Sequence, residues 1–188
     1  TLELQTLAAR FAGTTFGIKT RIAPVSAAIA RVQLRHLAER NERRNANLVY
    51  LSQALEALGF YTYPGPDHVE RVYFEYLIRH DEARVGLPLD LLIEALAAEG
   101  CQAQRPRYPL LHQQPLFTEG AWREIARLPD DLPVPEYPKD SLPNTQLGNM
   151  QLLKLPSFPN AGRMLLDQYI TAFKKVVRQA KEIRTSRG

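Results

Sequence analysis

Two short segments concentrate groups that could do chemistry. In Gly17-Ile18-Lys19-Thr20-Arg21-Ile22-Ala23-Pro24, a glycine and two cations precede a helix start. Lys19 and Arg21 are two positions apart, so in an extended chain they face one side and suit an anion. A solvated surface loop is the alternative. The second segment, Arg107-Tyr108-Pro109-Leu110-Leu111-His112-Gln113-Gln114-Pro115-Leu116-Phe117, brings guanidinium, aromatic and imidazole groups into a proline-pinned stretch. Such groups bind sugars or phosphates when they converge.

Other chemistries lack their patterns. His36, His68, His80 and His112 are scattered with no i, i+4 pair, so no zinc-protease or zinc-finger spacing exists and no metal site is expected. No phosphate loop, dinucleotide glycine fingerprint or nucleophile elbow occurs, and no catalytic residue is assigned within the chain. His80-Asp81-Glu82 reads as a polar turn after a strand. The single cysteine, Cys101, can form neither an internal disulfide nor a zinc cluster, which suits a reducing cytoplasm.

The elements that must position these segments emerge from periodicity. Between Pro24 and Leu58 the apolar residues Val25, Ile29, Val32, Leu48, Leu51, Leu55 and Leu58 recur at helical spacing, with Gly59 as the stop. One long helix or two nearly collinear ones are expected. Its middle alternates Arg31, Arg35, Arg40, Arg43 and Arg44 with Glu39 and Glu42, a ladder of i, i+3 and i, i+4 pairs. Strands are expected at 60–63 and 71–79, where aromatic and β-branched residues cluster around the turn chemistry of Pro64-Gly65-Pro66-Asp67. Leu91, Leu92, Ala95, Leu96 and Ala98 stripe a second helix between Pro88 and Gly100. A strand at 101–108, a short helix around 118–128 and an extended proline-rich connection with Pro129, Pro133, Pro135, Pro138 and Pro143 come next. A last strand, 151–155, stops at Pro156, and a closing helix places Leu165, Tyr169, Phe173, Val176, Val177 and Ala180 on one side. The order implies an α+β fold: a small antiparallel or mixed sheet with helices on one face, and long helices near both ends.

With 188 residues, the chain is long enough to bury roughly 70% of its unfolded surface without a disulfide or metal staple. No stretch approaches the ~18 apolar residues of a membrane span, and the N-terminus lacks the basic and apolar blocks of a signal peptide. The chain opens on Thr1 without an initiator methionine, which hints at a piece of a longer product. Its formal charge is +4, yet residues 169–188 hold six cations against one anion, leaving the body nearly neutral. A solvated helix face accounts for that basicity. The rival is a basic interaction module, nucleic-acid binding in character, using Arg31 to Arg44 and the terminal helix.

Several of these segments together produce a resemblance. The run Lys19 to Leu34, KTRIAPVSAAIARVQL, resembles a stretch of DegT/DnrJ/StrS-type sugar aminotransferases, in which G-x-N-x-R or G-x-K-x-R leads into P-x-x-A-A-x-x-x-x-Q-L. Pro24, Ala27, Ala28, Gln33 and Leu34 match. Further matches occur in the family's order: Arg40, Arg43 and Arg44; Val72-Tyr73-Phe74; Ala95-Leu96 through Gly100; Tyr108-Pro109-Leu110-Leu111-His112; and Leu153-Lys154-Leu155-Pro156. The similarity spans most of residues 17 to 178.

That resemblance implies the small C-terminal α+β domain of a pyridoxal phosphate (PLP) enzyme of fold type I, with residues 1–23 as a linker from a missing large domain and 24–188 as the small domain. The large domain would supply the Schiff-base lysine, because Lys19, Lys139, Lys154, Lys174, Lys175 and Lys181 all lack the family's catalytic-lysine context. The isolated chain is therefore expected to be inert and its parent to be a cytoplasmic homodimer. The parent would aminate a keto sugar or keto cyclitol, with glutamate or glutamine as donor. Lys19 and Arg21 would reach the partner subunit's cofactor phosphate, Lys19 standing where asparagine is commonest. Arg107 stands where the family often has histidine and would favour an anionic group such as a nucleotide diphosphate. Tyr108 and His112 would line the substrate pocket; the alternative is that Tyr108 packs in the core and His112 is a satisfied structural histidine.

Overall fold

The computed structural model describes residues 21–63, 65–66, 68–120, 131–132 and 140–187, together with Thr6, Ala126, Pro129 and Pro138. The chain divides into two compact units, Thr1–Ala38 and Glu39–Gly188. In the first, helix α1 (Pro24–Arg35) starts from extended Ala23 with Pro24 in its first turn, where the missing N–H has no intrahelical partner to lose. The expected apolar stripe is there, but no residue of α1 is buried: Val25, Ile29 and Val32 are exposed.

Helix α2 (Leu37–Glu56) comes after a break at His36 (φ −102°, ψ 4°), so two helices replace the single-helix alternative. Its Glu39 and Arg43 form an exposed i, i+4 ion pair at 2.6 Å. Leu48, Leu51 and Leu55 are fully buried, one turn apart, each contributing about 2 kcal/mol of apolar burial. Gly59 ends the run at φ +98°, and a Cβ there would press to 3.3 Å on the Arg84 Cβ.

The sheet has two strands among the described residues, β1 (Tyr76–Arg79) and β2 (Leu152–Leu155). They pair antiparallel, with Tyr76 opposite Leu155, Leu77 opposite Lys154 and Ile78 opposite Leu153. Tyr76, Ile78, Leu153 and Leu155 are buried and the alternate positions are not, so one face meets the core. The longer strands expected at 60–63, 71–79 and 101–108 shrink to β1 and two single bridges, Tyr61 to Arg79 and Gln104 to Lys154. Pro106 breaks the third run, and Pro156 lacks the N–H that would extend β2.

After β1 come α3 (Glu82–Val85), capped by Asp81 accepting from the Ala83 N–H, and α4 (Leu89–Ala98). Leu89, Leu92 and Leu96 form the buried side of α4, whereas Ala98 is exposed. A short helix, α5, covers Pro115–Thr118; of the helix expected around 118–128, Ala126 is helical, while 121–125 and 127–128 lie outside the described residues. An unanticipated helix, α6 (Pro143–Gln151), starts on a proline assigned to the extended connection. The closing helix is two, α7 (Arg163–Arg178) and α8 (Ala180–Arg187), parted at Gln179. On α7 the buried side runs through Leu166, Tyr169, Ile170, Phe173 and Val176. Leu165 is exposed, because it lies about 100° around the helix from Leu166.

Helix α7 packs on α4, and the core gathers both with α2 and the inner sheet face. Phe60 meets Phe173 edge-on at 5.3 Å. The fold is α+β, with helices over one face of a small antiparallel sheet. Among the described residues no helix is long and apolar enough to cross a membrane, and no cluster of metal-ligating side chains occurs.

Candidate functional site

The outer sheet face carries the charge that the inner face excludes. Lys154 sits between inward-facing Leu153 and Leu155, so strand alternation turns it outward. Glu75, just before β1, is its diagonal neighbour across the sheet. Lys154 Nζ donates to Glu75 Oε1 at 3.2 Å, and both side chains are nearly buried, at 12% and 13% exposure. Arg107 Nη2 reaches the same oxygen at 3.4 Å, with its guanidinium 5.9 Å from the Phe74 ring centre and 5.4 Å from that of Tyr108.

A cleft of about 200 Å³ opens here, lined by Phe74, Glu75, Gln104, Arg107, Lys154 and Ser157 among others. Two cations against one carboxylate leave it with a formal charge of +1. Phe74 stands exposed at its edge. Below, the Tyr169 hydroxyl accepts from the Gln102 N–H at 2.9 Å and fixes the start of the segment that carries Arg107. Burial pushes the pKa of Tyr169 up, which keeps that hydroxyl neutral. The reciprocal backbone pair between Gln104 and Lys154 ties the segment to β2.

Of the residues singled out in the sequence, Arg107 lines the cleft and Tyr108 stands beside it, exposed rather than packed in the core. His112 is only 6% exposed, on a short 3-10 turn (Leu111–Gln113), and is absent from the cleft lining. Its Nε2 has no hydrogen-bond partner among the described residues. Arg21 is exposed in the extended segment before α1, and Lys19 lies outside the described residues. Sequence reasoning missed Glu75 as a site residue and met Lys154 within the Leu153-Lys154-Leu155-Pro156 match, as a lysine outside the catalytic context, without assigning it to the site. A charged residue alternating with apolar ones in a strand was the available signal.

A larger depression of about 850 Å³ runs along the start of α7, past Glu99, Cys101, Arg163, Met164 and Asp167. Asp167 and Arg163 are both engaged by Tyr50: its hydroxyl donates to Asp167 at 2.5 Å, and Arg163 stacks on its ring. Burial pushes the Cys101 thiol up to about 11, so it is no nucleophile at neutral pH.

The model for the DegT/DnrJ/EryC1/StrS aminotransferase family matches residues 2–163. The chain belongs to this family. Among solved structures, DesV of S. venezuelae, determined in complex with a ketimine intermediate, is 25% identical with a TM-score of 0.66. The match covers 87% of this chain and 38% of DesV. A DegT DnrJ EryC1 StrS aminotransferase from Brucella abortus shares the fold at 20% identity and a TM-score of 0.62, over 92% of this chain and 42% of the other. The chain thus spans about two fifths of the length of the DegT/DnrJ/EryC1/StrS structures it matches.

Family membership raises the question of whether these residues fit PLP. Among the described lysines, Lys154 is engaged by Glu75, Lys175 donates to Glu99 at 2.7 Å, and Lys174 and Lys181 are exposed on helices. Lys154 shares its cleft with the Glu75 carboxylate, but that carboxylate is held by Lys154 and Arg107 rather than free to meet a pyridine nitrogen. The described residues do not fit the whole cofactor, and no chemical step through it is assigned to them.

Proposed function

We propose that this chain is the small C-terminal domain of a PLP-dependent aminotransferase, with residues 1–23 as the linker from a large domain and 24–188 as the domain itself. The parent enzyme aminates a keto sugar, nucleotide-linked, or a keto cyclitol, with glutamate or glutamine as donor, and works as a cytoplasmic homodimer. The observation that supports this best is the cationic, aromatic-edged cleft around Arg107 in a member of this family. PLP, anchored on a lysine outside this chain, would supply the electron sink for moving the amino group from the donor to the keto substrate.

This chain's own residues contribute binding. Arg107 presents a planar, permanently charged fork to an anionic part of the substrate. Tyr108 offers a ring and a hydroxyl beside it. Lys19 and Arg21 grip the cofactor phosphate of the partner subunit. The chain alone is inert.

Two measurements test this. Mixed with PLP, the 188-residue chain gives no borohydride-reducible lysine adduct; an adduct mapped to Lys154 or another of its lysines overturns the claim of inertness. The longer product, loaded with PLP and given glutamate or glutamine, aminates a member of a panel of nucleotide-linked keto sugars and keto cyclitols. If no panel member gains an amine, the reading fails.

A further inference from the structure

We propose that the cleft between β2 and the 102–107 segment is a phosphoryl-binding subsite in which Arg107 and Lys154, both held on Glu75, take the anion. This assigns Lys154 and Glu75 and rests on the reading of Arg107 as a substrate contact.

Both cations contact one carboxylate oxygen, Glu75 Oε1, at 3.4 and 3.2 Å. They are therefore close enough to be bridged by one phosphoryl group or two linked ones. Each uses a single side-chain hydrogen bond on Glu75, and an ammonium has three donors and a guanidinium five. The spare donors, with the Gln104 amide and the Ser157 hydroxyl in the lining, make the cleft donor-rich.

Charge points the same way. Glu75 stops Lys154 from being an unpaired charge in a nearly buried place, yet it neutralises only one of the two cations. The surplus positive charge sits on Arg107, whose side chain is 57% exposed and accessible from solvent. Charge-assisted contacts from guanidinium and ammonium to phosphate oxygens are the strong kind. Glu75 is thus a positioning residue: it holds two cations at one cleft and leaves their outer donors to the ligand.

The phosphoryl group could belong to a nucleotide-linked substrate or to the cofactor, so the probes separate these. Amide shifts of the 188-residue chain are followed by NMR during titration with inorganic pyrophosphate, uridine diphosphate or pyridoxamine 5′-phosphate. Shifts are expected at Gln104, Arg107, Lys154 and Ser157. Arg107→Gln and Lys154→Met each weaken pyrophosphate binding about tenfold, while Lys174→Met, on α7, leaves it unchanged. Arg107 is exposed, so its variant carries the test even if the Lys154 variant is unstable. Tighter uridine diphosphate assigns the subsite to the substrate, and tighter pyridoxamine phosphate to the cofactor; both support a phosphoryl site. Shifts confined to α7 and α8, no shift up to about 10 mM pyrophosphate, or equal weakening by Lys174→Met overturn the proposal. A longer enzyme that aminates keto sugars while Arg107→Gln leaves pyrophosphate binding intact would refute this subsite alone. Pyrophosphate held here by a parent without aminotransferase activity would refute the parent reading alone.

Discussion

Asn47 holds Phe158 in a backbone conformation that a non-glycine residue rarely adopts. The Asn47 side-chain amide on α2 donates to the Phe158 carbonyl at 2.9 Å and to the Ala161 carbonyl at 3.1 Å. Phe158 has φ +48°, a left-handed conformation costing on the order of 1–2 kcal/mol. Its ring is buried and meets Tyr169 edge-on at 4.9 Å. The turn after β2 is thereby fixed, and with it Pro156 and Ser157 at the cleft.

Asn47→Ala removes both donors while leaving the strained turn in place. A loss of about 1–2 kcal/mol is expected, read as a lower urea midpoint with unchanged slope. Asn47→Asp, which keeps the shape but offers no donor, should lose at least as much. A midpoint equal to wild type in both variants would show that the turn holds itself.

The pair of Glu75 and Lys154 makes a second expectation. Glu75→Gln leaves an ammonium at 12% exposure without its counter-charge, and a loss of about 2 kcal/mol is expected. The double variant Glu75→Gln with Lys154→Met should recover most of that loss, because no uncompensated charge then remains. If the double variant is as unstable as the sum of the two single ones, the pair is not coupled as described.

His80 sets a pH dependence. It is 3% exposed, its Nε2 donates to the Leu87 carbonyl at 2.8 Å, and burial depresses its pKa below the ordinary 6.5, an effect that the Leu87 bond and nearby Glu82 and Asp81 only partly offset. In this range the unfolded chain binds the proton more readily than the folded one, so stability rises with pH. The contribution is fully present above about 6.5 and is lost as pH falls through the window down to the folded-state pKa. His80→Gln, which can retain a donor to Leu87, should flatten the stability profile below about pH 6.5. An unchanged slope would assign the dependence to another group.

Cys101 is 7% exposed and its thiol is pushed up to about 11 by burial, with Glu99 adding to the shift. At pH 8 the folded chain should react with a disulfide reagent far more slowly than the urea-unfolded chain, in which the thiol regains its ordinary pKa. Equal rates in the two states would contradict the described burial.

Much of the core was legible because its signal is local. Leu48, Leu51 and Leu55, or Leu92 and Leu96, announce a buried helix side through spacing alone, and Gly59 and Gly100 announce where it ends. Strand length was not, since it depends on partners: Tyr61 and Gln104 each find one bridging residue and no more. Pro143 read as a breaker when it was in fact a helix start, because a proline ends one helix and suits the first turn of another, and the residues C-terminal to it decide between the two. At the site, Arg107 was visible as a cation among aromatics, while Glu75 and Lys154 were not visible as its companions.

Residue order and periodicity along the chain suffice for the α+β class, the helical core stripes and the family pattern. Folding in three dimensions was needed to bring Arg107 and Lys154 to one oxygen of Glu75, to turn Tyr108 to solvent and to keep His112 out of the cleft lining. The reason is physical: antiparallel pairing of β1 with β2 brings together residues 79 positions apart, Glu75 and Lys154. Register across a sheet is set by which faces can be buried together, not by neighbours in the chain.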